Sequence, residues 1–298
     1  MNQKVSIIIP NYNHASFLQQ RLDSVFNQTF QDFEVILLDD ASTDTSRGIL
    51  NSYKNHPKVS HIIINNNNSG SPFKQWQKGV DLANGAYIWI AESDDYCEYD
   101  FLEQLMPLFN DKRTVLGYCA STIINSQGEK VGRHAWADTL DKKRWTQSFS
   151  NKGKDEIKRF LRYRNTITNA SAVVFKKNAV KDLKYPINMK FCGDWYMWIE
   201  ILKKGHIAYT HQTLNYFRRH SESTKFVKPF YLEKQRIAEY LEIILANSQF
   251  FIRFLNRNKY LWILNEWQEK KKNFPETKLE HLGFPIDFLC FFKLKQKT

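Results

Sequence analysis

Residues 87–95 read Tyr-Ile-Trp-Ile-Ala-Glu-Ser-Asp-Asp, a buried-strand pattern that runs straight into Glu92, Asp94 and Asp95. That ending restricts the fold: the strand needs apolar cover along its length and an open edge at its tip. Open α/β sheets bind their ligands at such C-terminal strand ends. Three crowded carboxylates repel one another unless a cation or a dense set of donors compensates. Hard oxygen ligands on this spacing suit Mg²⁺ or Mn²⁺, ions that usually enter with substrate phosphates. The plainer alternative is a polar turn that caps the next helix.

A second acidic strand end strengthens the ligand reading. Glu34-Val35-Ile36-Leu37-Leu38 stops on Asp39-Asp40, and Ala41 to Ser46 is a small-polar stretch suited to start a helix through Ile49, Leu50 and Tyr53. The first apolar run, Val5 to Ile9, ends at Pro10-Asn11-Tyr12-Asn13, a turn that cannot continue a ladder. Between the two runs, Phe17, Leu18, Leu22, Val25 and Phe26 recur at helical spacing. Strand, helix, strand, helix and a third strand at His61–Ile64 predict parallel pairing through right-handed crossovers. Three loops would then meet at one crevice.

In this order the motifs resemble the inverting nucleotide-sugar glycosyltransferases of family 2, which have the GT-A fold. The resemblance is carried by Pro10–Asn13, Leu22–Thr29, Asp39–Asp44, Ala83–Ile88 and the acids after it, and it extends over residues 1–223. It implies an α/β, Rossmann-like mixed sheet with mainly parallel strands flanked by helices, followed by a helical C-terminal tail. The expected division is a catalytic domain over 1–224 and a basic, aromatic-rich extension over 225–298. By resemblance, Pro10, Tyr12, Asn13 and Asp40 hold the nucleoside, with Asp40 accepting from a base imide N–H. The family's Asp-x-Asp motif reads Glu92-Ser93-Asp94 here, so its first position departs from Asp. Asp94 is then the metal ligand, Asp95 the runner-up, and Glu92 acts through water or ribose. Lys74, on a helix after the polar loop 65–72, is a candidate phosphate contact, although a lysine on a helix is commonly just solvated.

Downstream, Asn169–Phe175 resembles the strand lining the family's acceptor cleft, and Phe191–Ile199 its Gly/Glu-Asp helix start. Inverting transfer needs one general base on the acceptor hydroxyl, and the resemblance assigns that role to Asp194. Gly193 stands where a Glu is usual. An N-cap for a helix over 195–204 is the structural alternative for Asp194. Tyr216–Ser223 resembles the closing segment, where Arg219 or His220 meets the leaving diphosphate and His220 completes the metal shell. Residues 129–165 are weakly patterned and read as a long functional loop.

The formal charge of +12 calls for an explanation. No nucleic-acid recognition motif accompanies it, so a nucleic-acid partner is not expected. Residues 225–298 carry 14 Lys or Arg against 8 Asp or Glu, interleaved with Phe250, Phe251, Phe254, Tyr260, Trp262, Trp267 and the run Phe288–Lys295. Such a tail suits an anionic membrane surface, or else its aromatics pack on the catalytic domain. No run approaches the roughly 20 apolar residues that span a bilayer, and no signal peptide is read at the N-terminus. Cys97, Cys119, Cys192 and Cys290 form no metal spacing or disulfide framework. A cytoplasmic enzyme follows as the expectation, peripheral at the inner face of the membrane. It would use Mn²⁺ or Mg²⁺ to move sugar from a UDP-sugar to a glycan or lipid-linked acceptor in surface polysaccharide assembly. A nucleotide-sugar-binding assembly partner without activity is the competing reading, supported only by Glu92.

Overall fold

The computed structural model describes residues 4–220, 229–248 and 257–272. The N-terminal third alternates as read: β1 (Val5–Asn11), α1 (Ala15–Phe26), β2 (Phe33–Asp39), α2 (Ser46–Ser52), β3 (Val59–Ile64), α3 (Pro72–Leu82) and β4 (Tyr87–Ile90). There follow β5 (Tyr96–Cys97), α4 (Phe101–Leu105), β6 (Thr114–Ile124), β7 (Lys130–Arg133), β8 (Phe149–Lys152) and α5 (Gly153–Glu156). The remaining elements are β9 (Val173–Lys176), α6 (Gly193–Leu202), β10 (His206–Arg218), α7 (Phe230–Asn247) and α8 (Leu261–Lys272). Residues 129–165 are thus no continuous irregular loop: short strands pair with β6 and β10, and helical turns fill the rest.

All strands join one sheet in the order β3-β2-β1-β4-β9-β6-β10-β5, with β7 on β6 and β8 on β10. β1 is parallel to both β2 and β4, so the chain reverses its direction of travel across the sheet at β1. That reversal is the topological switch point, where an α/β sheet opens a crevice at its carboxyl edge. β9 runs antiparallel between β4 and β6, and β10 lies parallel to β6. The ends of β1, β2, β4 and β10 and the start of β9 consequently share that edge.

Side-chain alternation builds two cores. Ile8, Ile36, Leu38, Ile88 and Ile90 face α3 and α6 through Phe73, Trp76, Trp195 and Trp198. Val5, Ile7, Ile9, Val35, Leu37 and Trp89 face α1 and α4 through Leu18, Leu22, Phe101 and Leu105. β1 and β2 are buried throughout, as strands covered on both faces must be.

The two C-terminal helices pack on the first of these cores. Ile237, Leu241, Ile244, Tyr260, Ile263, Leu264 and Trp267 are buried with Trp195 and Trp198. The Trp262 indole donates to Tyr163 O at 3.1 Å. For Tyr260, Trp262, Ile263, Leu264 and Trp267 the packing alternative therefore describes the fold, since their apolar surface is already covered. Phe250, Phe251, Phe254 and the 288–295 run, the other residues of the membrane reading, lie outside the described residues. No helix among the described residues is long and apolar enough to cross a membrane.

Candidate active site

Two turns after β1 and β2 form one wall of the crevice. Asn11 donates to Asp39 Oδ1 at 3.0 Å and to Ser42 Oγ at 3.1 Å, while Asn13 Oδ1 accepts from Thr43 N at 2.8 Å. Asn13 and Ala41 take left-handed backbone (φ 57° and 64°), a cost the surrounding bonds offset. Pro10 is buried beneath, and Tyr12 is 45% exposed above. Asp40 is buried, and its carboxylate gathers the 65–75 segment. Oδ1 accepts from Asn65 at 2.7 Å and Gln75 at 2.9 Å, and Oδ2 from the Ser69 hydroxyl at 2.8 Å. A base N–H would have to displace one of these donors. Lys74 is exposed and donates to Ser69 O at 3.1 Å.

The acidic tip of β4 divides into separate roles. Glu92 turns back on α3, where the Trp76 indole donates to Oε1 at 2.8 Å. Burial, then the negative charge of Asp94, raises its carboxyl to about 8. Asp95 is turned inward: Oδ1 accepts the Arg218 backbone N–H at 2.8 Å and Oδ2 the Asn169 amide at 3.0 Å. Burial and Asp94 push it up to about 6. Both oxygens of Asp95, the runner-up metal ligand, thus bond within the fold.

Asp94 alone of the three meets imidazoles. His220 Nε2 lies 3.1 Å from Asp94 Oδ2, and His14 packs edge-on against the His220 ring at 5.4 Å. Ligand atoms of His14, Asp94 and His220 all fall within 4.8 Å of one another. Burial opposes the charge of Asp94, but the His220 hydrogen bond and both imidazoles hold its carboxyl below the usual range. Two imidazoles and a carboxylate form a donor set that fits a divalent cation. His14 was not singled out from sequence; its only signal was a histidine directly after the Pro10–Asn13 turn. Arg219 is exposed at the end of β10. The buried arginine is its neighbour Arg218, which donates to Asp94 O at 2.8 Å and to Asn125 O at 3.0 Å and so ties the acidic loop to β10.

Asp194 stands in the first turn of α6 after Cys192, which holds the N-cap position. It is part-exposed, with Oδ1 on Trp195 N at 2.7 Å and Oδ2 on the Asn165 amide at 3.0 Å. The segment from Asn165 continues to Asn169, the partner of Asp95, so one stretch of chain links Asp194 to the acidic tip. A side chain at residue 193 would have to displace the Phe73 ring, which would lie 2.5 Å from its Cβ.

A switch-point crevice walled by the β1 and β2 turns and floored by the β4 acids defines a GT-A fold nucleotide-sugar transferase. The chain belongs to glycosyl transferase family 2, whose family model matches residues 6–184. It is 26% identical over 208 residues to the putative teichuronic acid biosynthesis glycosyltransferase TuaG of Bacillus subtilis, covering 69% of this chain and 74% of that protein. It is 42% identical over 95 residues to the poly(ribitol-phosphate) beta-glucosyltransferase of Bacillus spizizenii, 31% of this chain and only 15% of that protein. The crystal structure of S. aureus TarS 1–349 in complex with UDP superposes with a TM-score of 0.64 at 18% identity, covering 93% of this chain and 76% of that one.

Proposed function

We propose that this glycosyltransferase uses a UDP-sugar and a divalent cation, Mn²⁺ or Mg²⁺, and transfers the sugar with inversion to a glycan or lipid-linked acceptor. Surface polysaccharide assembly is the process it would serve. The convergence of Asp94 with His14 and His220 at the switch point carries the reading. TuaG's name refers to teichuronic acid biosynthesis and TarS was crystallised with UDP, and both support the choice of donor and process.

In this reading Tyr12 stacks on the base, with Pro10 and Asn13 shaping the nucleoside side. Asp40 selects a base that offers a ring N–H once a donor of the 65–75 segment yields. Asp194 takes the proton from the acceptor hydroxyl. That oxygen bonds to the anomeric carbon as the bond to the diphosphate oxygen breaks on the opposite face, and inversion follows. A bound cation supplies charge neutralisation at the leaving diphosphate. Asp94 and His220 would hold it, and the exposed Arg219 would add positive charge beside it. Residues 1–224 carry the catalytic groups, and the 225–298 extension contributes α7 and α8 to the same core. Attachment of the remaining tail to an anionic membrane would bring the enzyme to a lipid-linked acceptor.

A screen of nucleotide sugars for diphosphate release, with Mn²⁺, with Mg²⁺ and with EDTA, tests the reading. Release from a UDP-sugar that EDTA abolishes is the expected result. Asp94→Asn should weaken UDP binding sharply in calorimetry while the melting curve stays cooperative. Unchanged UDP affinity in that variant with cation present would remove Asp94 from the donor site.

A further inference from the structure

The cation site implied by the family resemblance draws on Asp94 and His220. The structure adds a residue from the opposite end of the chain. His14 follows the β1 turn, immediately before α1, and its ring meets His220 edge-on at 5.4 Å, within ligand reach of Asp94. Its orientation is fixed from behind: Nδ1 lies 2.8 Å from the buried Ser93 hydroxyl. An outer hydrogen bond on one ring nitrogen is the usual way a metal-bound imidazole is held, with the other nitrogen given to the ion. Ser93 is the middle residue of the acidic motif, so the same three-residue stretch supplies one ligand and orients another. Phe17, 5.1 Å from the His220 ring, closes the apolar side of this cluster.

We infer that His14 is a third protein ligand of the cation, and that the resulting pair of imidazoles lets the site take up a transition-metal dication before nucleotide. The inference rests on the glycosyltransferase reading above, because it assigns an ion to that same site. A Mg²⁺ ion prefers oxygen and keeps several waters, and it usually depends on substrate phosphates to stay bound. Imidazole nitrogen suits transition-metal dications rather than Mg²⁺. With one carboxylate and two imidazoles already in place, such an ion gains enough protein ligands to bind without a diphosphate.

The test uses the full chain without nucleotide. Free Mn²⁺ is followed by electron paramagnetic resonance, Mg²⁺ is added as competitor, and Co²⁺ is added separately for its visible ligand-field bands. Wild type should bind Mn²⁺ without nucleotide, and Mg²⁺ more weakly. His14→Ala should lose about tenfold or more in Mn²⁺ affinity, change Mg²⁺ affinity little, and shift the Co²⁺ bands as one nitrogen ligand is lost. His14→Gln, which keeps a polar partner for Ser93, serves if the alanine variant does not fold, and it should show the same loss. Unchanged Mn²⁺ affinity and Co²⁺ bands in a folded His14 variant would overturn the inference, as would a wild type that binds no Mn²⁺ without nucleotide. UDP binding with cation in those same samples would leave the glycosyltransferase reading standing. Failure to bind UDP with any cation would count against that reading instead.

Discussion

At the scale of single residues, the chemistry depends on which carboxylates face the crevice and which hold the fold. Asp194 has one oxygen on its own helix start and one on Asn165, and its partial exposure suits a base that must meet an acceptor. Asp194→Asn should retain donor binding and lose about 10²–10⁴-fold in transfer rate, read as UDP affinity against product formation. Near wild-type turnover would reduce Asp194 to a helix-start residue. Glu34 shows the structural kind of acid. Burial works against its charge, but Ser6 Oγ at 2.7 Å, Asn84 N at 2.7 Å and the nearby Lys4 outweigh it and lower the carboxyl from 4.5 to about 2. A depressed folded-state value means stabilisation that is present above about pH 4.5 and lost as pH falls toward about 2. Urea midpoints at pH 6 and pH 3 should fall more steeply in wild type than in Glu34→Gln; parallel slopes would remove Glu34 from the acid response.

At the scale of elements, α7 holds the segment that leads into α6 and Asp194. Glu239, buried on that helix, accepts three consecutive backbone N–H groups: Lys190 and Phe191 at 2.8 Å, and Cys192 at 2.9 Å. Those residues lead directly into α6 and Asp194. A carboxylate from the extension thus fixes the approach to the candidate base, where Gly193 leaves room only for the Phe73 ring. Glu239→Ala leaves three donors without their acceptor and should cost about 3 kcal/mol or more of stability. Glu239→Gln should fold and keep donor affinity while kcat falls, and unchanged kcat would limit Glu239 to packing. The turn between α3 and β4 is equally constrained. A Cβ on Gly85 would lie 2.5 Å from Lys4 O, so Gly85→Ala must push β1 and β4 apart and should lower the melting temperature.

At the scale of the whole molecule, the C-terminal helices are part of the main core, because Ile237, Ile263, Leu264 and Trp267 share it with Trp195 and Trp198. Uncovering such large side chains costs about 1.5–3 kcal/mol each. Truncation after residue 224 should therefore abolish cooperative unfolding rather than yield a stable catalytic domain. A truncated chain that melts as wild type would show that this packing contributes little. Membrane attachment, if the tail provides it, should appear as full-length binding to anionic vesicles that fades as salt rises through a Debye length near 10 Å. No binding at low salt would leave the surplus of basic residues as solvated surface.

The sequence by itself determined the first half of the fold and its functional edge. Near-continuous apolar runs ending on Pro10, Asp40 and Asp94 encode buried parallel strands locally, and the helical spacing between them allows only crossovers over the sheet faces. Family motifs gave Asp194 and His220 their expected roles by resemblance. Only the tertiary structure decided the rest, because contacts between residues far apart in the chain leave no local periodicity. The antiparallel insertion of β9, the capture of Asp95 by Asn169 and Arg218, the pairing of His14 with His220 and the hold of Glu239 on residues 190–192 are all of that kind. A histidine after a turn and a glutamate on an amphipathic helix look ordinary in sequence. Packing sets one beside Asp94 and the other against the start of the helix that carries Asp194.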